Sequence, residues 1–193
     1  EGLNDIRQIF IVYISLTVIR IPYIKSHTLG KARYLLYNGI SKESFDAIKR
    51  LHIAYFDHSE QTEICDILYE PALMVSDALR RVFVLYEPKM EFKGVQLFAN
   101  DLEDNTAPLY WMPYIEPVVC LSTESKKYPN GMLEKLVLDR NASIENRHIF
   151  RVAEILEYKI IVSLPVAESI IRRQMTGISF EPILSDAGGL PPL

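Results

Sequence analysis

The residues best suited to chemistry lie in one acidic stretch, YFDHSEQTEICD, which begins at Tyr55. One carboxylate could act as a general base while a second carboxylate holds a metal ion, as in a metal-assisted hydrolase. Dense carboxylates between apolar runs are more often solvated surface charge or part of an interface, and we favour that interpretation. The candidate residues are Asp57, His58, Glu60, Glu63 and Asp66.

Motifs of the common enzyme classes are missing from the sequence. The four histidines never take the spacing of a zinc hydrolase, and there is no G-x-S-x-G elbow, glycine-rich phosphate loop or C-x-x-C pair. Ser76 and Ser163 each follow a strand-like run, but neither has flanking glycines, so both are expected to cap helices rather than act as nucleophiles. We therefore predict no catalytic residue, no metal site and no cofactor.

A second acidic stretch, NDLEDNT, is followed at once by the aromatic run PLYWMPY. Aromatic side chains beside acidic ones are typical of a surface that binds a basic protein. Because alternate residues of a strand point to opposite faces, Trp111 is favoured as a core residue, with Tyr110 and Tyr114 facing outward. The candidate partner-binding residues are Asp101, Glu103, Asp104, Tyr110, Trp111 and Tyr114.

The composition predicts an ordinary globular protein with a protein partner. Of 193 residues, 21 are Lys or Arg and 25 are Asp or Glu, and the net charge of −4 favours a basic protein over nucleic acid. Cys65 and Cys120 each lie alone in an apolar stretch, as buried thiols do in a reducing compartment. The most apolar run, residues 9–24, is interrupted by Arg20 and Pro22 before it reaches membrane-spanning length. With no signal peptide recognisable, we expect a cytoplasmic protein that does not enter a membrane.

Two segments share one pattern of strand, capped helix and strand. In the first, residues 72–75 favour a strand, Ser76 an N-cap and residues 78–86 an apolar helical stripe, with a second strand after Gly94. In the second, residues 160–162 favour a strand, Ser163 an N-cap and residues 166–171 the stripe. Gly177 is then expected to close that helix in the left-handed conformation, before a final strand.

The rest of the chain predicts further strands and one short helix. Residues 9–24 are rich in β-branched side chains and favour a buried strand. Ser41 is a candidate N-cap, and Phe45, Ile48 and Leu51 follow at helical spacing. We therefore predict a strand-rich α+β fold with two related halves. The expected divisions are an N-terminal region, 1–61, a first half, 62–116, and a second half, 117–193, which ends in a short tail.

Five segments of the sequence resemble a family of immunity proteins from bacterial polymorphic toxin systems. Members of that family pair an upstream D-I with V-S-x-x-L and end on T-G-[I/V]-x-F-x-P. The matching segments are DIL at Asp66, VSDALRRV at Val75, HIF at His148, IIVSLPVAESIIRR at Ile160 and TGISFEPI at Thr176. The resemblance covers residues 66–183, leaves the first sixty residues unmatched, and lacks a threonine before Gly94 in the first copy.

The resemblance implies a protein that binds a cognate toxin made by the same cell and blocks its active site or its access to substrate. It supplies no catalytic residue. The recurring positions are Ser76, Gly94, Ser163, Gly177, Phe180 and Pro182. The alternatives are a carboxylate-based hydrolase centred on Asp57 to Asp66 and a scaffold or small-ligand-binding module. Neither the toxin nor the oligomeric state follows from the sequence.

Overall fold

The structure is a computed structural model that describes residues 9–13, 24–25, 41–56, 64–69, 72–99, 108–139, 141–142, 144 and 146–185. This part of the chain holds three short helices, α1 (Lys42–Ala47), α2 (Asp77–Tyr86) and α3 (Leu164–Arg172). Its strands are β1 (Ile9–Tyr13), β2 (Ile24–Lys25), β3 (Leu51–Phe56), β4 (Ile67–Leu68), β5 (Met74–Ser76), β6 (Phe92–Ala99), β7 (Leu109–Pro113), β8 (Pro117–Val118), β9 (Lys126–Lys127), β10 (Leu133–Lys135), β11 (Val137–Leu138), β12 (Ile149–Val152), β13 (Ile160–Ser163), β14 (Ser179–Pro182) and β15 (Leu184–Ser185). The predicted α+β class is confirmed.

Two mixed sheets form the body of the protein. The larger has six strands in the order β2-β3-β6-β7-β5-β4, with β3 and β6 parallel and every other pair antiparallel. The smaller has five in the order β14-β1-β13-β12-β8, with only β12 and β8 parallel. Two short pairs, β9 with β10 and β11 with β15, lie outside them.

The two strand–helix–strand segments have the same arrangement of strands. In the first unit, β7 lies between β5 and β6 and is antiparallel to both. In the second unit, β1 lies between β13 and β14 in the same way. The outer neighbours also correspond, because β4 pairs with β5 and β12 pairs with β13. The N-terminal region therefore supplies the middle strand of the second unit, and the predicted divisions at 61 and 116 stay predictions.

The helices α2 and α3 lie between apolar surfaces that both sheets contribute. One cluster joins side chains of α2 and α3 to both sheets, including Leu79, Phe83, Val162 and Ile170. A second cluster packs Phe45 of α1 onto the other face of the six-stranded sheet. Each helix thus buries most of the apolar stripe that its sequence pattern predicts, whereas Ala78 and Ile171 are exposed.

Three local predictions were wrong in position. Leu51, expected on the first helix, lies in β3, because α1 ends at Ala47 and the chain is extended from Ile48. Gly94 lies inside β6 rather than before it, and a Cβ there would meet the Leu51 side chain at 3.0 Å. The helix α3 is closed by Gln174, whose φ is 53°, three residues before Gly177.

Candidate protein-interaction surface

Three of the sequence motifs meet at one point, here called the Asp66 junction (Asp66, Ser76, Thr176 and Gly177). The Ser76 hydroxyl donates to Asp66 Oδ1 at 2.6 Å and accepts from the Leu79 amide at 3.1 Å, so it also caps α2. The Thr176 amide donates to Asp66 Oδ2 at 2.8 Å. The Asp66 amide in turn donates to the Thr176 hydroxyl at 3.3 Å. A carboxylate of the first unit therefore binds the chain directly after the helix of the second.

A matching junction lies around His148 in the second unit. The Ser163 amide donates to the His148 carbonyl at 2.9 Å, just as the Ser76 amide donates to the Asp66 carbonyl at 2.7 Å. The Ser163 hydroxyl lies 2.8 Å from His148 Nδ1 and makes no cap bond, which corrects its predicted capping role. Glu87, directly after α2, accepts from the amides of His148 and Ile149. Each unit is thus bonded to the start of the other unit's outer strand.

These junctions account for the part of the acidic stretch that the structure describes. Asp66 is bonded to Ser76 and Thr176, which is a structural arrangement. The other candidates of that stretch, Asp57, His58, Glu60 and Glu63, lie outside the described residues, as do Asp101, Glu103 and Asp104. The Asp66 carboxylate is therefore assigned to holding the two units together.

The three aromatic candidates differ in exposure. Tyr110 is only 3% exposed, which corrects the expectation that it faces outward, and its hydroxyl donates to the Cys65 carbonyl. Burial raises the pKa of Tyr110 well above its usual value. Trp111 is half-buried, with the Arg80 guanidinium 4.3 Å from its ring centroid. Tyr114 is also half-buried and packs on Phe45 at 5.3 Å between ring centroids. Tyr110 therefore belongs to the core.

An exposed apolar surface that the sequence reading missed lies on the six-stranded sheet. Leu51, Ile53 and Tyr55 of β3 are 57%, 56% and 48% exposed, whereas the alternating His52 and Ala54 are buried. Leu109 of β7 is exposed, and Phe98 of β6 contacts Tyr55 at 5.9 Å between ring centroids. The helix α2 packs on the same face of this sheet, but it covers only the part formed by β5 and β7. The side chains named above are therefore left uncovered. The surface, here called the β3 face, consists of Leu51, Ile53, Tyr55, Phe98 and Leu109.

The alternation in LHIAYF is the sequence pattern that could have revealed the strand β3, although not which of its faces is exposed. Its first, third and fifth residues are large and apolar, which is the period of a strand. The preceding helical spacing of Phe45, Ile48 and Leu51 masked that alternation. An exposed cluster of large apolar side chains on a folded protein indicates an interaction site.

Both acidic stretches follow, in the sequence, strands that carry this face. The last residues of β3 and β6, Phe56 and Ala99, are register partners in a parallel pair. Asp57 directly follows Phe56 in the chain, and the stretch with Asp101, Glu103 and Asp104 begins directly after Ala99. The two segments richest in carboxylates are therefore joined to neighbouring positions at one end of the sheet.

His52, a buried residue between the exposed Leu51 and Ile53, is expected to make the stability of the fold sensitive to acid. His52 is buried and its Nε2 has no hydrogen-bond partner among the described residues. Burial lowers the pKa of His52, and the charges of Lys49 and Lys93 lower it further, against a backbone hydrogen bond at Lys49 that raises it. The unfolded chain therefore protonates His52 more readily than the folded protein does. The contribution of neutral His52 to the free energy of unfolding is present above its unfolded pKa of about 6.5 and is lost as the pH falls below that value.

We expect the wild-type urea midpoint to fall more steeply than that of His52→Leu between pH 7.5 and pH 5.5. The measurement is urea unfolding of both proteins at each pH. Parallel midpoints across this window would contradict the assignment.

A groove of about 460 Å³ lies where the two units meet α1. Its walls carry Lys42, which pairs with Glu91 at 2.7 Å, and Arg147, which pairs with Glu116 at 2.5 Å. Glu87 also lines it and is bonded to backbone amides. The lining carries three basic and three acidic side chains in all, so its net charge favours a ligand of neither sign.

Two further findings concern the described residues. Among them, no group of three or more His, Cys, Asp or Glu side chains is arranged to hold a metal ion. No helix in this part is both long and apolar enough to cross a membrane.

The fold and surface define a mixed α+β protein with two sheets, two bonded units and an uncovered apolar sheet face. Comparison with family models gives a match to the Immunity protein family (Imm11) over residues 28–185, which is well over half of the chain. The chain belongs to that family, and this membership suggests a toxin-neutralising immunity role. No curated protein matches the chain.

Proposed function

We propose that this protein neutralises a cognate polymorphic toxin by direct contact, with the β3 face at the centre of the interface. The observation that carries the proposal is the uncovered apolar surface of Leu51, Ile53, Tyr55 and Leu109 on a member of an immunity family. Interfaces generally join an apolar centre to a polar rim. The acidic stretches that follow β3 and β6 supply the rim.

The charge of that rim favours a basic toxin surface. Asp57, Glu60 and Glu63 lie in the stretch after β3, and three further acids lie in the stretch after β6. Complementary charge accelerates association and selects among partners. We keep Trp111 in the proposed contact region because it is partly exposed on the same face of β7 as Leu109. Tyr114 packs on Phe45 at the opposite face and Tyr110 is buried, so both are left out.

Two finer properties belong to the same proposal. The shared strand arrangement of the units supports an internal repeat, which gives a broad rigid surface in place of a reaction pocket. Cys65 and Cys120 are both buried free thiols, which favours a reducing compartment, so the proposed location is the cytoplasm.

Co-expression with the toxin domain encoded beside its gene tests the function. We expect survival of the host and co-purification of the two proteins as a stoichiometric complex. Survival without a complex would favour an enzyme that reverses the toxin's damage, and Asp57 to Asp66 would be its first candidate residues. Loss of the host despite expression of both folded proteins would contradict the proposal.

Charge reversal of the rim is expected to slow association. Replacing Asp101, Glu103 and Asp104 together by lysine should lower the association rate constant about tenfold at low salt, with a smaller effect at high salt. The measurement is stopped-flow association with the purified toxin domain at two salt concentrations.

The matched control reverses three exposed acids elsewhere, Glu124, Glu134 and Glu154. It changes the net charge of the protein by the same amount. Equal changes in the association rate constant for the two triple variants would show that only the net charge of the protein affects association. An unchanged rate constant for the 101–104 variant would contradict a role of this stretch in the rim of the interface.

A further inference from the structure

Among the described residues, no strand pairs with one edge of β3 over most of its length. Its inner neighbour β6 pairs with all six residues, Leu51 to Phe56. On the outer side, β2 pairs only with Tyr55 and Phe56. Within the described ranges, no strand pairs with Leu51 to Ala54 on that side.

The register shows which backbone groups point to this edge. The Gly94 amide donates to the Arg50 carbonyl at 2.8 Å, so the carbonyl of Arg50 points towards β6. Backbone groups alternate in direction along a strand that pairs on one side. Those of His52 and Ala54 therefore also point towards β6, and those of Leu51 and Ile53 point outward.

The same two residues expose their apolar side chains on the β3 face. Proteins protect edge strands with proline, lysine or a bulge, since an exposed edge pairs readily with another chain. The sequence LHIAYF contains neither proline nor lysine, and β3 pairs with β6 without a register shift. An added strand would gain hydrogen bonds from the edge and apolar contacts from the face.

We propose that the toxin binds by adding an extended strand to the outer edge of β3 at Leu51 to Ala54. This proposal rests on the proposed function and specifies how the toxin is held. Strand addition takes its affinity from main-chain hydrogen bonds and its specificity from alternate side chains. The toxin strand therefore carries apolar residues at alternate positions.

The charges next to β3 in the sequence predict where the toxin strand carries its own charged residues. The exposed Lys49 and Arg50 directly precede β3, and Asp57 directly follows it. The complementary strand carries an acidic residue beside Lys49 and Arg50 and a basic residue at its other end.

A second copy of this chain fits the edge less well than a toxin strand. An antiparallel register that pairs Ile53 with its counterpart would place Leu51 against Tyr55 of the other copy. Lys25 of β2 already pairs with Tyr55 there.

Amide hydrogen exchange, measured by NMR, tests the proposal. It is measured on the protein alone and on its complex with the toxin domain encoded beside its gene. The amides of Leu51 and Ile53 should exchange rapidly in the free protein and at least about a hundredfold more slowly in the complex. Those of His52 and Ala54 should be protected in both states. A complex that leaves Leu51 and Ile53 unprotected would overturn strand addition while direct binding stands, and failure to form a complex would overturn both. Protection in the free protein that rises with its concentration would identify a second copy as the occupant and overturn the proposal.

A pair of variants at Ile53 separates the backbone from the side chain. Ile53→Ala and Ile53→Pro both reduce the apolar contact area at this position, but only proline removes the amide hydrogen that points outward. Proline is tolerated at edge positions of a sheet. We expect the proline variant to raise the Kd for the toxin domain at least about tenfold above the alanine variant. Ile171→Ala, at a residue of similar exposure (60%) on α3, is the control and should bind like the wild type. Equal Kd values for the two Ile53 variants, both folded by circular dichroism, would overturn the proposal.

Discussion

Asp66→Ala is expected to lower the free energy of unfolding by about 3 kcal/mol, since it removes charge-assisted hydrogen bonds that hold the two units together. The carboxylate accepts from the Ser76 hydroxyl at 2.6 Å and from the Thr176 amide at 2.8 Å. Alanine leaves the partly buried Ser76 hydroxyl without this acceptor, so its desolvation is no longer compensated, whereas the Thr176 amide lies on an exposed residue and can bond to water. Urea unfolding of the two proteins at pH 7 measures the difference.

A matched variant distinguishes this junction from an ordinary surface carboxylate. The Asp139 side chain accepts from the Asn141 amide within a local turn, at 2.8 Å. Asp139→Ala should therefore cost no more than about 1 kcal/mol. Equal losses for the two variants would contradict the structural role of the Asp66 junction.

The same residue separates immunity by binding from the hydrolase alternative. Asp66→Asn keeps the shape of the side chain and an oxygen acceptor while removing the charge. If Asp66 is structural, the folded Asp66→Asn protein still binds and neutralises the toxin. Neutralisation lost in a folded variant that still binds would instead favour a carboxylate-based enzyme.

The sequence predicted the elements whose causes are local. An N-cap serine, an apolar stripe and a following proline lie within thirteen residues of each other at Ser76 to Pro88, and α2 spans Asp77–Tyr86. The strand predicted at residues 160–162 is likewise present, as β13. Such features depend on neighbouring residues, which a single sequence displays.

Partners that are distant along the chain could not be predicted in this way. Ser163 begins α3 as expected, but its hydroxyl lies against His148, fifteen residues earlier, rather than against its own helix. Likewise, nothing in the apolar run that contains Ile9–Tyr13 indicates that it lies between β13 and β14. Long-range pairing is decided by the packing of whole sheets.

The candidate site likewise combines features that are visible in the sequence with features that depend on distant parts of the chain. The acidic stretches were visible as sequence, whereas the β3 face depends on which part of the sheet α2 covers. The strand pattern of Leu51, Ile53 and Tyr55 looks like that of any half-buried strand. Only the structure shows that the large apolar residues lie on the uncovered side and the smaller Ala54 on the buried one.

Gly177→Ala is expected to lower the free energy of unfolding by about 4 kcal/mol, because alanine there meets two separate obstacles. Gly177 has a φ of 79°, in the left-handed region that costs other residues about 1–2 kcal/mol. A Cβ at this position would also lie 2.7 Å from the Cys65 Cβ and 3.3 Å from the Ile67 carbonyl oxygen. Cys65 and Ile67 flank Asp66 in the chain, so neither can retreat without disturbing the Asp66 junction.

Gly131→Ala supplies the control for the backbone contribution. Gly131 has a similar φ of 85°, but its nearest neighbour is the end of the exposed Leu156 side chain at 3.2 Å, which can rotate away. This variant should lose only the conformational part, about 1–2 kcal/mol, and the excess in Gly177→Ala measures the close approach of the two units. Urea unfolding of both variants against the wild type gives the two values. Equal losses would mean that the backbone shifts at Gly177 to accommodate the added Cβ. Glycine in the terminal T-G motif would then be required by the positive φ and not by the contact between the units.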